Sequence, residues 1–395
     1  MEETKLALNN ITANNCCGCR ACEQICPTKC ISMKADDEGF MLSSVNINKC
    51  INCGQCERVC PVIHVPGDNG ILKIYAMQLL DEETLMYSSS GGAFRLIADE
   101  IIENNGVVCS CVFNEKNEAV FRIVDTKDQL KTFQGSKYVQ SDTNDVFSSV
   151  KEFLENSVNV FFSGAPCQCA ALLNFLGKTY DNLYTADFLC HGMPSDWIFK
   201  EYLNYLGDKG HCKITNIRFR DKTARGWGLW FSYEKETNNK RHKIIRNVNL
   251  DPYEYAFQKS MMNRHLCYKC PFQGQRFTDF TYADYWGVEN YHSDFLNKKG
   301  VSVLCLNTPK AQNIIIRTNG KANFVETSIE SVAAQNESLV GIEPRPIPDI
   351  RNRIYKEVKD NGWQVVSRDV LKYKHFWINK IWYSLPHELV NLIKR

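Results

Sequence analysis

Eight cysteines between residues 16 and 60 constrain this chain more than any other feature. Cys16, Cys19, Cys22 and Cys26 precede Pro27 in the pattern C-x2-C-x2-C-x3-C-P, and Cys50, Cys53, Cys56 and Cys60 precede Pro61 at the same spacing. Three thiolates two residues apart wrap a tight loop around three corners of a 4Fe-4S cube, and the fourth leaves on a short helix and reaches the other cube. The spacing therefore predicts one cluster on Cys16, Cys19, Cys22 and Cys60, and another on Cys50, Cys53, Cys56 and Cys26. Gly18 and Gly54 suit the tight turns, and the prolines stop the chain after each fourth ligand. Zinc sites use pairs of cysteines rather than two matched runs of four.

The chain has 395 residues, enough for two or three domains, and 44% hydrophobic residues, enough for large cores. The expected division is 1–66, 67–306 and 307–395, with a small cluster-binding domain, an α/β (α+β) core domain and a C-terminal helical extension. A formal charge of +2 gives no case for nucleic acid as a partner. Of 19 cysteines, the two runs take eight; the other eleven read as thiols or further ligands rather than disulfides. That implies a reducing compartment, and a cytoplasmic protein is expected. The first ten residues, MEETKLALNN, lack an apolar signal segment, and no run of about 18 apolar residues is present to span a membrane. Residues 31–47, with Asp36-Asp37-Glu38-Gly39 in the middle, read as a hairpin. Cys17 and Cys30 fall outside the pattern and read as spare thiols near the clusters. Residues 64–70 have linker composition.

Residues 74–80 read as a strand. Then Ser88-Ser89-Ser90-Gly91-Gly92 opens a helix, since Phe94, Ile97, Ala98, Ile101 and Ile102 have helical spacing and stop at Asn105-Gly106. Small residues at a helix N-terminus can cradle a phosphate, although serine is also an ordinary N-cap. Lys137 reads either as a phosphate partner or as a surface lysine. Residues 107–113 form a strand with Cys109 and Cys111 on one face. Residues 158–189 read as a β-α-β unit with parallel strands. It puts Cys167 and Cys190 at the carboxyl ends of neighbouring strands, where open α/β sheets bind ligands. Cys267 and Cys270 form a separate C-x2-C before Pro271, and these four thiols together can complete a further site. Arg218, Arg220, Lys222 and Arg225 form a basic run suited to an anionic group or to a solvated turn. Residues 229–250 read as a hairpin turning at Asn238-Asn239, and Asp284 reads as a ligand-positioning or turn residue. Residues 372–395 interleave Lys372, Lys374 and Lys380 with Tyr373, Phe376, Trp377, Trp382 and Tyr383. That pattern fits a core-docked helix or peripheral contact with a membrane surface.

Residues 12–64 resemble bacterial two-cluster ferredoxins. Seven ordered motifs, SSSGGAF, GSKYV, SGAPCQ, FLCHG, FRDK, CYKCPF and YADYWG, occur across residues 88–287. Together they resemble the beta subunit family of coenzyme F420-reducing hydrogenases and dehydrogenases over residues 70–305. The resemblance implies a bound FAD, with its pyrophosphate near Ser90, Gly91 and Gly92 and with Lys137 assisting. It also implies a third 4Fe-4S cluster on Cys167, Cys190, Cys267 and Cys270. Cys169, two residues after Cys167, leaves open which of the two ligates. The implied function is an oxidoreductase passing electrons between clusters and FAD. It would couple a low-potential carrier, F420H2 or a reduced ferredoxin-like protein, to a small organic substrate, anionic or sugar-derived. Alternatives are a non-catalytic electron-transfer subunit, or a redox protein serving polysaccharide biosynthesis.

Overall fold

The computed structural model describes residues 14–371 other than 209, 224, 238, 239, 296 and 297, together with residue 381. The basic and aromatic tail at 372–395 lies, apart from residue 381, outside the described residues.

The expected hairpin is β1 (Ile31–Ala35) and β2 (Met41–Val45), antiparallel with Ile31 opposite Val45. Asp36 closes its turn by accepting from the backbone N–H of Glu38 at 3.0 Å and of Phe40 at 2.9 Å. The tip is packed into the rest of the molecule. Phe40 is 2% exposed and joins an aromatic core with Tyr355 and Trp197. The Glu38 carboxylate accepts from the Arg351 guanidinium, with Oε1 at 2.8 Å. The first cysteine loop is held against the core in the same way. Arg20 pairs with Asp142, with its Nη2 at 2.7 Å, and Thr143 Oγ1 donates to the Cys19 carbonyl at 2.9 Å. Gly18 (φ +70°) permits this approach, because a Cβ there would stand 2.6 Å from Gln140 Nε2 and 2.9 Å from the Met41 carbonyl.

The main sheet is built from β3 (Lys73–Leu79), β4 (Val107–Phe113), β5 (Ala119–Val124), β6 (Val160–Ser163) and β7 (Leu183–Phe188). A separate three-stranded sheet, β8 (Lys213–Arg218), β9 (Trp230–Thr237) and β10 (Lys240–Asn247), interrupts it in sequence. Then β11 (Phe280–Asp284), β12 (Ser302–Leu306) and β13 (Ala322–Glu326) complete an eight-stranded order β13-β3-β12-β11-β7-β6-β4-β5. The four strands β11, β7, β6 and β4 are parallel, and the flanking ones are antiparallel. The parallel centre is covered on both faces, which is why β6 is apolar nearly throughout and buried at every position. The β-α-β reading of residues 158–189 agrees with β6, the helix Pro166–Leu176 and β7. Gly177 (φ +67°) ends that helix in the left-handed conformation.

The sheet continues past residue 306, since β13 pairs with β3. The helix Asp349–Asn361 also docks, burying Ile354, Tyr355 and Val358, and Trp363 Nε1 donates to the Ile198 carbonyl at 3.1 Å. Among the described residues no helix is long and apolar enough to cross a membrane.

Candidate redox site

The carboxyl ends of β6, β7 and β11 open onto a cavity of about 290 Å³. Six of the seven sequence motifs line it, through residues such as Ser90, Tyr138, Gly164, Cys190, Arg220 and Asp284. The seventh, around Cys267 and Cys270, lies behind Cys190. This is where a parallel sheet leaves helix N-termini and loop backbones free to meet a ligand.

At one end stands the N-terminus of the helix Ala93–Glu103. Its N-cap, Gly92, is left-handed (φ 90°), and no side chain caps the helix. The first N–H groups therefore offer an anion site with the favourable end of the helix dipole. The preceding serine loop is fixed by its own bonds. Ser89 and Ser136 share a hydrogen bond at 2.9 Å, Ser90 Oγ donates to the Val301 carbonyl at 2.5 Å, and Lys222 Nζ donates to the Ser90 carbonyl at 2.7 Å. Gly91 does not line the cavity. A Cβ there would stand 2.1 Å from the Met77 carbonyl and 2.4 Å from the Ser302 nitrogen, so glycine is required by packing against β3 and β12. A bulky residue at 91 would therefore report on folding, not on a ligand. Lys137 lines the cavity, but its amine donates to the carbonyls of Phe133 at 2.8 Å, Gly135 at 3.1 Å and Gln134 at 3.4 Å. Burial lowers it to about 8. It organises its own loop.

The sequence singled out Arg220 and Asp284 in the opposite wall but not their pairing. Arg220 makes a two-pronged pair with Asp284, at 2.6 and 3.0 Å, and Trp227 Nε1 donates to the same carboxylate at 3.0 Å. The guanidinium lies 4.9 Å from the centre of the Trp286 ring, and Trp227 stacks on Trp286 at 4.7 Å with planes 2° apart. Burial alone would lower Arg220, but the Asp284 carboxylate and Tyr138 hold it above its ordinary value. The rest of the basic run serves the protein itself. Arg218 lies over Tyr87, Arg225 lies over Trp230, and Lys222 is sunk between two backbone carbonyls, where burial pushes it down to about 7. Only Arg220 of the four faces the cavity.

The thiols fall into three sets. Cys167, Cys190, Cys267 and Cys270 are partly buried and close enough to influence one another: Cys17 and then burial raise Cys167, with Cys190 and Cys270 adding to it, while burial raises the other three, with Cys267 and Cys270 adding to it at Cys190. Cys190 is also a wall of the cavity. Cys169 is turned away, donating to the Ala186 carbonyl at 3.4 Å, which separates it from Cys167. Burial raises Cys22, with Cys16 and Cys60 adding to it, and Cys19 is raised by Cys17 and by burial, with Cys22 adding to it. Cys26, Cys50, Cys53 and Cys56 line a second, smaller cavity with Cys30, whose sulfur is 3.4 Å from that of Cys26. Cys53 is exposed.

The donor chemistry fits iron–sulfur clusters. One sulfur in each set already accepts a backbone N–H at 3.4 Å: Cys16 from Gly18, Cys26 from Cys30 and Cys190 from Gly192. Such bonds stabilise thiolate ligands and tune the clusters they hold. Among the described residues, no three cysteine, histidine, aspartate or glutamate side chains converge closely enough to hold a single metal ion.

Residues 158–331 match the family described as the C terminus of the coenzyme F420 hydrogenase/dehydrogenase beta subunit, and residues 15–63 match the 4Fe-4S dicluster domain. No curated protein matches the chain. A chain from the xenon-derivatised F420-reducing [NiFe] hydrogenase complex of Methanosarcina barkeri aligns with 15% identity and a TM-score of 0.44, over 76% of this chain and 92% of that one. Two parts of this chain are thus similar to known families: residues 15–63 to a 4Fe-4S dicluster domain, and residues 158–331 to the C terminus of the coenzyme F420 hydrogenase/dehydrogenase beta subunit.

Proposed function

We propose that the chain is an iron–sulfur flavoprotein oxidoreductase with FAD in the cavity and a relay of three 4Fe-4S clusters leading away from it. The single observation that carries this reading is Cys190, which belongs both to the cavity wall and to the inner thiol set. FAD, when bound, supplies the exchange between hydride pairs and single electrons. The uncapped N-terminus at Ala93 would face its pyrophosphate, with Gly92 allowing close approach, while Lys222 holds the Ser90 loop and Lys137 holds the 133–137 loop. Apolar walls at Phe94, Phe121 and Phe257 would exclude water from the ring system. Cys167, Cys190, Cys267 and Cys270 would hold the inner cluster, Cys16, Cys19, Cys22 and Cys60 the first, and Cys26, Cys50, Cys53 and Cys56 the outer one. Exposed Cys53, with exposed Lys29 and Lys49 beside the outer set, suits docking of an acidic one-electron carrier protein. A cytoplasmic setting follows from the thiol chemistry.

Because the basic run is consumed by internal pairing, a small organic substrate would be held chiefly by the cavity wall around Arg220 and Trp286. F420H2 is the two-electron partner the family suggests; a sugar precursor is the other. Stopped-flow flavin spectra under anaerobic conditions separate them. Rapid bleaching by F420H2 supports the first. Bleaching by reduced ferredoxin alone, with reoxidation by an organic acceptor, supports the second. A flavin that responds to neither carrier would sink the oxidoreductase reading.

A further inference from the structure

Three hydroxyl side chains line the cavity from strands of the parallel centre: Ser110 on β4, Ser163 on β6 and Tyr282 on β11. Register puts Ser163 and Tyr282 on one face. Ser163 is opposite Ala186 on β7, Ala186 is opposite Phe280 on β11, and residues two apart along a strand share a face. β7 lies between β6 and β11, so the Tyr282 side chain crosses it to share a hydrogen bond with the Ser163 hydroxyl. Ala186, in register with Ser163, has only a methyl group to stand in the way.

The protons of these hydroxyls can be counted. Ser110 donates its own to the Ser163 carbonyl at 3.0 Å. In the Ser163–Tyr282 pair each hydroxyl carries one proton at neutral pH, and each oxygen can also accept. One proton makes the shared bond; the other has no acceptor among the described residues. Ser163 is buried, and a buried donor without an acceptor is costly, yet both residues line the cavity. The spare proton therefore faces whatever occupies it. The pair sits beside the strand end that carries Cys190, because the Leu189 N–H donates to the Tyr282 carbonyl at 3.3 Å. Phe121 stands on the other side: a Cβ on Gly164 would lie 3.2 Å from its ring. An aromatic wall and a redox thiol frame a place for a ring rather than for a phosphate.

We propose that the Ser163–Tyr282 pair is a hydrogen-bond donor to an acceptor atom of the flavin ring, an inference that rests on the flavin reading above. A reduced ring is more electron-rich than an oxidised one, so a donor fixed beside it favours reduction and raises the flavin midpoint. Either hydroxyl can supply the proton. Removing one breaks the shared bond and leaves the other with a free O–H, so only loss of both empties the position of donors.

The test compares full-length, anaerobically purified wild type, Ser163→Ala, Tyr282→Phe and the double variant. Bound flavin is assayed, the flavin midpoint is titrated by absorbance, and the clusters are followed by EPR. Each single variant is expected to keep the flavin's reduction equilibrium within about threefold of wild type. The double variant should lower it about tenfold, as for one hydrogen bond to a charged group, which is about 30 mV for a two-electron couple. Cluster midpoints should stay where they are. A wild-type flavin midpoint in the double variant would overturn the proposal. So would weaker flavin binding at an unchanged midpoint, which would put the donor on the phosphates. The full fall in either single variant would assign the bond to one hydroxyl and overturn the pair, and cluster midpoints that move as far as the flavin's would mark general disruption and count against it. If the double variant misfolds, Ser163→Gly with Tyr282→Phe removes the same two protons, and its midpoint decides. A wild type that binds no flavin would instead remove the flavin reading, and this proposal with it, a result that no variant can imitate.

Discussion

Replacing Arg220 with alanine is expected to destabilise the folded protein by about 3–5 kcal/mol, the usual cost of removing one member of a buried ion pair. Arg220 is 4% exposed, and its fork matches both oxygens of Asp284. Without it, the carboxylate keeps the Trp227 N–H but loses its only cationic partner among the described ion pairs. The face of Trp286 loses its covering guanidinium as well. Arg220→Lys should recover only part of the loss, because an ammonium cannot make the two parallel bonds. A double change of Arg220 and Asp284 to leucine should cost less than the two single changes added together. Denaturant unfolding of wild type, Arg220→Ala, Arg220→Lys, Arg220→Leu, Asp284→Leu and the double leucine variant checks this. A loss below about 1 kcal/mol for Arg220→Ala, the range of exposed pairs, would contradict the buried-pair account.

Cys60→Ser is expected to remove about four irons per chain, all from the cluster of the first cysteine run. Cys60 ends the second run in sequence, yet Cys17 and Cys16 add to the rise that burial gives it, and Cys22 is raised by burial and then by Cys16 and Cys60. Cys26 makes the reciprocal crossing, lining the cavity of Cys50, Cys53 and Cys56. EPR of the reduced variant should retain the signal of the outer cluster. Loss confined to that outer signal would mean that each run ligates only its own cube.

The elements whose determinants are local could be read from the sequence. Asp36 makes its turn within four residues, Gly177 stops its helix, and the β6-helix-β7 unit follows from periodicity and from the handedness of crossovers. The two four-cysteine runs were readable for a different reason: their spacing is that of a 4Fe-4S dicluster domain, which residues 15–63 match. What escaped depends on residues that meet only through the sheet. The aromatic and ionic wall joins Arg220, Trp227, Asp284 and Trp286 across some 60 residues. The basic run looked available because its partners, Asp284 and the Ser90 and Lys299 carbonyls, are remote in sequence. Gly91 was expected to admit a phosphate, but the constraint on it is the close approach of β3 and β12. The expected division at residue 307 marks no break in the sheet, because β13 still pairs with β3.

The central claim is an electron path from a flavin in the cavity through Cys190 to the exposed outer set. Its most direct test is an anaerobic titration of the full-length chain with reduced ferredoxin, after assay of bound flavin and iron. The account predicts stoichiometric FAD, about twelve irons per chain, and bleaching of the flavin that slows at least tenfold in Cys53→Ser, where the surface end of the path is broken. Protein that folds with about eight irons and no flavin, or a flavin reduced equally fast in Cys53→Ser, would contradict it.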